Sequence, residues 1–246
     1  MKKSLTYIIF FDLLFVLLLA VSGALGGAIG EAVYYIAFLF PTALALGTVK
    51  KTGAQFSPAK LRISSENLLL TLPVIAPTLT LIFFVSWITS LVLSHFGENS
   101  TPDVSGNIIL VIFTHAVLTA LMEETLFRYI PLAYLVPHSK MWAVIFSALL
   151  FALVHCNLYQ IPYAFIAGVI FAVLDIAFDS ITPSLIIHFV NNLISIIWLR
   201  GVGNSDFATV YVMTLVSAAI VSIIPVALMR KKYAEKINRA FKKSEK

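Results

Sequence analysis

The stretch NIILVIFTHAVLTALMEETLFRYI, residues 107–130, decides the fold, because it is an apolar run that contains two adjacent carboxylates, Glu123 and Glu124. A helix needs about 20 apolar residues to cross a hydrocarbon layer of about 30 Å. Ionisable side chains at that depth cost roughly 2.5 to 3.5 kcal/mol each on insertion scales, so they are rare and usually paired or functional. The glutamate pair therefore marks both a membrane span and a candidate site.

The composition of the whole chain supports a membrane protein. Hydrophobic residues make up 60% of the 246 residues and charged residues only 12%, whereas soluble domains contain about 25% charged residues. The mean hydropathy is +0.96. The length allows about eight spans of roughly 20 residues. We therefore predict an all-α, polytopic membrane helix bundle that forms a single domain over residues 1–246, with spans at 5–26, 31–48, 68–95, 107–131, 141–158, 161–178, 181–199 and 207–229.

The basic residues between these spans predict the topology. One set of loops and termini holds nearly all of them, and Arg200 is the only basic residue in the opposite set; the first set is Lys2, Lys3, Lys50, Lys51, Lys60, Arg62, Lys140 and the tail from Arg230 to Lys246. The positive-inside rule assigns this set to the cytoplasm. We expect a multi-pass protein of the cell membrane with both termini cytoplasmic. The first span also resembles a secretory signal, but Asp12 and the lack of a clear AxA site favour a retained span.

The C-terminal sequence RKKYAEKINRAFKKSEK is basic and directly follows a predicted span. Anionic lipid attracts such segments at the membrane surface. We expect the tail to bind the lipid bilayer at anionic lipid, and we do not expect a nucleic-acid partner.

Helical geometry gives the two glutamates different roles. Glu124 precedes Arg128 by four residues, the spacing and order that favour an ion pair on a helix. Glu123 is turned about 100° away and cannot use that partner equally well. We interpret Glu124 and Arg128 as a structural pair that supports the site. Glu123 is then either a functional group or a protonated side chain bonded to a neighbouring helix.

Three further polar residues lie in other predicted spans. His155 follows Phe151 by one helical turn, and Asn192 follows His188 by one turn. A single buried histidine is more often a core residue than a catalyst. Polar residues on three predicted spans together favour a functional site. The helical rise places Glu123 about 12 Å and His188 about 10 Å from the cytoplasmic boundary, and His155 about 20 Å from it. One of the three depths therefore does not match.

Other polar residues in the spans have plainer interpretations. Cys156 is expected to be a packing residue, and His115 to bond a neighbouring helix. Asp175 follows a stripe of small residues and is expected to be a hydrogen-bonding residue of a packing face, with lining of a cavity as the alternative. Pro131 is expected to end a helix and Pro183 to begin one.

At this point the chain resembles the CPBP (CAAX protease and bacteriocin-processing, or Abi) family of intramembrane glutamic endopeptidases, which is related to the Rce1 CAAX prenyl proteases. The family pattern EExxxR occurs at 123–128, FxxxH at 151–155 and HxxxN at 188–192. The motifs fall in the family's order and cover a core of about 107–200.

The resemblance implies a mechanism and a set of roles. Glu123 would activate a water molecule as general base, with His155 helping to hold or polarise it. His188 and Asn192 would donate hydrogen bonds to the oxyanion. No cofactor is implied. A catalytic zinc held by Glu123, His155 and His188 is the alternative, since one carboxylate and two imidazoles form a plausible zinc set, although the sequence contains no HExxH.

The leading hypothesis is an intramembrane endopeptidase whose site opens towards the cytoplasm and whose substrate is a peptide or a membrane-associated protein. The resemblance points to the bacterial branch, with peptide maturation or bacteriocin self-immunity as roles. The alternatives are a non-catalytic immunity or regulatory binding protein, and a transporter or proton relay. Paired interrupted helices or internal symmetry would favour a transporter, and the sequence has neither.

Overall fold

The computed structural model describes residues 2–52, 64–93, 104–201 and 205–242, and the described chain is entirely helical apart from its connections. The prediction of an all-α, polytopic bundle is confirmed. Within these ranges, seven helices are long and apolar enough to cross a membrane. The helices are α1 (Lys2–Leu25), α2 (Gly27–Thr52), α3 (Ser65–Leu93), α4 (Ile108–Leu135), α5 (Lys140–Leu153), α6 (Ile161–Phe178), α7 (Thr182–Gly201) and α8 (Ser205–Phe241).

Some predicted features lie outside the described residues: the loop cations Lys60 and Arg62, most of the loop at 98–106, and the last four residues, 243–246. The basic tail that follows the predicted span 207–229 is described as far as residue 242. It continues α8 as a helix to Phe241.

The predicted span 141–158 is too long. Helix α5 has 14 residues, which is about 21 Å of helix, and so falls short of the roughly 30 Å of a hydrocarbon layer. The helix ends at Leu153, and Cys156 then has a φ of 47°, which an α-helix cannot accommodate. After it the Asn157 Oδ1 accepts a hydrogen bond from the Tyr159 amide at 2.9 Å, which forms a local turn. Pro162 then lies in the first turn of α6, where proline favours a new helix start.

Helix α4 is continuous but contains two π-helical segments, Ile112–Leu118 and Thr125–Tyr129. The prediction that Pro131 ends a helix is wrong, since α4 continues to Leu135. Proline has no N–H, so Phe127 O cannot receive the usual bond from residue 131. The Ser147 hydroxyl of α5 donates to that oxygen at 2.6 Å. A cross-helix bond thus joins α4 to α5 beside the glutamate pair.

One end of the bundle is rich in lysine, and we call it the lysine-rich end. There α3 begins beside the end of α6, because Asn67 Nδ2 donates to Phe178 O at 3.1 Å. The last turns of α8 cover the same end: Lys236 Nζ donates to Asn67 Oδ1 at 3.2 Å, and Lys140 Nζ donates to Ala240 O. The described part of the basic tail is therefore packed on the bundle.

We call the opposite end the distal end. It contains the connection between α5 and α6, whose Tyr159 hydroxyl donates to Leu93 O at the end of α3, at 2.8 Å. At the same end, Arg200 Nη2 donates to Gly106 O at 3.0 Å. At each end of the bundle, hydrogen bonds therefore join segments that are distant in the sequence.

One apolar cluster of the core lies between α1, α2 and the α4–α6 segment of the bundle, and another lies between α3, α6, α7 and α8. Aromatic rings meet edge to face in the first cluster, with Phe15 at 4.9 Å from Phe38 and at 5.6 Å from Phe127 between ring centroids. The predicted packing face on α6 is confirmed at Gly168: a Cβ built there would lie 2.8 Å from the Ala148 Cα of α5. The two helices approach closely because residue 168 has no side chain.

This contact predicts that Gly168→Ala destabilises the protein by about 1 to 3 kcal/mol, the usual cost of overpacking, because the new methyl group meets backbone. The measurement is the unfolding midpoint of the purified protein in detergent. The control is Gly47→Ala, since Gly47 is also helical and a Cβ there has no neighbour within 4 Å. Equal midpoints for the two variants would show that the close approach is not needed.

Candidate active site

Glu123 and Glu124 are adjacent in α4 but lie in different surroundings. The Glu124 side chain is completely buried, whereas 13% of the Glu123 side chain is exposed. Glu123 lines a partly open cavity of about 640 Å³, and Glu124 does not. The separation expected from helical geometry is therefore present: one carboxylate faces the cavity and the other faces the protein interior.

The ion pair between Glu124 and Arg128 is formed and buried, with 3.2 Å between Oε2 and Nε. Arg128 Nη1 also donates to Ser147 Oγ at 2.7 Å and to Phe127 O at 3.3 Å. Its Nη2 has no hydrogen-bond partner among the described residues. The guanidinium carbon lies 4.7 Å from the centre of the Phe151 ring, which gives the charge a cation–π contact.

His188 joins the two glutamates. Its Nδ1 lies 2.8 Å from Glu124 Oε1, and its Nε2 lies 3.7 Å from Glu123 Oε2. An ionised carboxylate can only accept, so the bond to Glu124 places a hydrogen on Nδ1. Nε2 then donates a hydrogen bond only when the ring is protonated. The rings of Phe151 and Phe171 flank the imidazole, with centroids 5.5 and 6.0 Å away.

His155 lines the same cavity but does not lie on a helix face as predicted. It follows the end of α5, and its Nδ1 lies 2.8 Å from Phe151 O. Since a carbonyl oxygen accepts, Nδ1 carries the hydrogen and the neutral ring has an unprotonated Nε2. Cys156 is also misassigned as a packing residue, because it is exposed and has a positive φ of 47°.

Asn192 completes the predicted set at the cavity, one turn after His188 on α7. The amide of Asn191 donates to Asn192 Oδ1 at 3.4 Å. This bond occupies the oxygen of Asn192 and leaves its amide nitrogen as a hydrogen-bond donor. All four residues predicted to be catalytic therefore line one cavity.

Several lining residues were missed. His115 was expected to bond another helix, but its Nδ1 lies 2.8 Å from Oγ1 of its neighbour Thr114 and its ring lines the cavity. The sequence contained a signal, because His115, Thr119 and Glu123 follow one another at four-residue steps, which places them on one helical face. Other polar lining residues come from four further helices and one connection: Tyr34, Ser86, Gln160, Tyr163, Asn191 and Ser195.

Asp175 has the packing role that was expected. It is fully buried, does not line the cavity, and accepts a hydrogen bond from the Ser184 amide through Oδ1 at 3.1 Å. Ser184 lies in the first turn of α7, one turn before His188. The bond thus fixes the start of the helix that carries His188 and Asn192.

The described residues contain no group of three His, Cys, Asp or Glu side chains that is arranged to hold a metal ion. Zinc binding by Glu123, His155 and His188 would therefore need these side chains to move together.

Comparison with known proteins gives one family. Residues 105–194 match the model of the type II CAAX prenyl endopeptidase Rce1-like family. The match confirms the resemblance inferred from the three motifs and covers all of them. The family is one of membrane proteases, and the described helices are those of a multi-pass membrane protein. Searches of curated proteins and of solved structures find no significant match.

The buried contacts of Arg128 predict the effect of Arg128→Lys. A lysine keeps the charge but cannot reach Glu124, Phe127 O and Ser147 together, so buried acceptors lose their donors. We expect a loss of about 1 to 3 kcal/mol in stability, measured as a lower unfolding midpoint in detergent. The control is Arg230→Lys on the exposed surface of α8, which should leave the midpoint unchanged.

Proposed function

We propose, from the Rce1-like match of residues 105–194, that this protein is an intramembrane endopeptidase in which Glu123 activates the attacking water. The observation that carries the proposal is the meeting of Glu123 with His188 at an open cavity, where Nε2 and Oε2 are 3.7 Å apart. His155 and Asn192 line the same cavity. A general base, a second basic nitrogen and amide donors thus surround one space.

The reaction can be written with these groups. Glu123 takes a proton from water while the oxygen attacks the carbonyl carbon of the scissile peptide bond, and an oxyanion forms. The protonated Glu123 then gives that proton to the leaving nitrogen as the carbon–nitrogen bond breaks. The unprotonated Nε2 of His155 can accept a hydrogen bond from the water and orient it.

Two groups on α7 suit the oxyanion. Asn192 can donate through its amide nitrogen, and His188 can donate through Nε2 when its ring is protonated. Donors held in place in a dry site contribute about 3 to 4 kcal/mol to transition-state stabilisation. Glu124 and Arg128 act at a distance from the substrate, as positioning residues: Glu124 holds His188 and Arg128 holds Glu124.

The decisive variant is Glu123→Gln, which keeps the size of the side chain and removes the base. We expect peptide processing to fall by at least about 10²-fold, the lower range for loss of a general base, while the protein still inserts and accumulates. The measurement is the rate of cleavage of a peptide that accumulates in cells lacking the protein.

Glu235→Gln is the matched control, because Glu235 is exposed on α8 and far from the cavity. It should retain full activity. Processing that survives Glu123→Gln in a correctly inserted protein contradicts the protease assignment. Such a result would favour a binding or immunity protein that holds its partner without cleaving it.

We propose that the chemistry is metal-independent, with zinc as the alternative. The expected result is unchanged cleavage after prolonged incubation with a strong chelator, followed by removal of the chelator–metal complex. Loss of activity that zinc alone restores would assign the metal to Glu123, His155 and His188 instead. Magnesium addition serves as the control for ionic effects.

The substrate we propose is a peptide or a membrane-associated protein, in bacterial-type maturation or bacteriocin self-immunity. We also propose a location in the cell membrane, with both termini cytoplasmic and anionic lipid at the basic tail. Several tail cations are exposed on α8 or directly after it and are available for lipid headgroups, namely Arg230, Lys231, Lys232, Arg239 and Lys242. Lys236 is instead engaged by Glu66, at 3.6 Å.

A further inference from the structure

The cavity extends from Glu123 in one direction only. Along α4 its lining continues through Thr119 to His115, towards the distal start of that helix. Along α7 it continues from His188 through Ser195 to Leu199, near the distal end of that helix. Two antiparallel helices therefore give the same direction, and it leads away from the lysine-rich end.

Helices α3 and α6 agree with this direction. The lining residue Ser86 lies in the distal third of α3, and Gln160 directly precedes the distal start of α6. Val104, which precedes α4, also lines the cavity. By contrast, the lining residue of α6 nearest to the lysine-rich end is Phe171, which packs against His188.

The opposite direction is closed by packed polar side chains. Glu124, Arg128, Ser147, Asp175 and Ser184 all have 0% exposure. They lie between the level of His188 and the lysine-rich end, and they bind one another or nearby backbone. Water that reaches Glu123 through the described part of the protein therefore comes from the distal side.

The basic residues at the two ends predict which side of the membrane the cavity faces. The lysine-rich end holds Lys140 and the basic turns of α8, whereas Arg200 is the only Lys or Arg among the described residues of the distal end. The positive-inside rule assigns the lysine-rich end to the cytoplasm. The cavity leads to the distal end, which this orientation places outside the cytoplasm. The expected cytoplasmic opening of the site and the expected orientation of the chain therefore cannot both hold.

We propose that substrate reaches Glu123 from the non-cytoplasmic side of the membrane, so that the enzyme cleaves exported peptides or extracytoplasmic segments of membrane proteins. This inference rests on the proposed protease function and on the proposed orientation. It replaces the expectation of a cytoplasmic opening. It also names the class of substrate, since a cytoplasmic peptide would have to pass the packed, buried side chains of Glu124 and Arg128.

The cavity wall fits an extended, uncharged segment. Among the described residues, the cavity lining contains no lysine or arginine, and Glu123 is its only carboxylate. The remaining polar groups, such as Thr119, Asn191 and Ser195, can bond backbone amides. From His115 to Glu123 the helical rise is about 12 Å, which spans about three to four residues of extended peptide.

The test is the accessibility of single cysteines to a membrane-impermeant maleimide. In a Cys156→Ala background, Ser195→Cys places a thiol at an exposed position of the cavity, and Lys232→Cys places one at the lysine-rich end. Each full-length variant is labelled in intact cells, in inverted membrane vesicles and after solubilisation in detergent. Solubilised protein gives the full extent of labelling for each thiol.

We expect Ser195→Cys to be labelled in intact cells and not in inverted vesicles, with Lys232→Cys showing the reverse. Labelling of both thiols from one side overturns the proposal, as does labelling of Ser195→Cys from the cytoplasmic side alone. A Ser195→Cys thiol that reacts only in detergent also overturns it, because the cavity would then face lipid.

The labelling does not depend on catalysis, so it separates this inference from the proposed function. The same cysteine pair is placed in the Glu123→Gln variant, where the labelling pattern should be unchanged. An inactive wild-type protein with the expected pattern would contradict the protease function and leave the direction of access intact.

Discussion

The charge of the fully buried Arg128 is the constraint on which the rest of the site depends. Removing one partner from a buried ion pair costs about 3 to 5 kcal/mol, so the surroundings must supply its contacts. The guanidinium binds Glu124 and lies over the Phe151 ring, while Glu124 in turn binds His188. The three sequence motifs thus meet in one cluster, which gives a physical reason for their occurrence together.

The cluster also explains why two adjacent glutamates are useful. An imidazole has nitrogens on two sides, and His188 directs one towards Glu124 and the other towards Glu123. Consecutive residues of a helix point in different directions, so α4 presents Glu123 to the cavity and Glu124 to the buried arginine. The ring between them transmits the position of the buried pair to the proposed base.

Local spacing predicted the ion pair of Glu124 with Arg128, composition predicted the helical class, and the three motifs named the four residues that line the cavity. The sequence missed features that depend on turns or on tertiary packing. His155 was expected to be too deep because it was treated as helical; α5 ends at Leu153, before His155, and the ring bonds back to Phe151 O. Tyr34 belongs to α2, which has no motif, and only packing brings it to the cavity.

The same cluster gives the cavity its direction. A membrane protein that hydrolyses peptides needs water at the scissile bond, but a water path open at both ends would cross the bilayer. The packed group around Arg128 and Ser147 closes the lysine-rich side, and the Ser147 bond to Phe127 O also holds α4 at the point where Pro131 cannot donate. The orientation of His188 and the closure of the cavity on the lysine-rich side therefore depend on the same contacts around Arg128. A change that loosens these contacts would both displace the proposed base, Glu123, and admit water from the lysine-rich end.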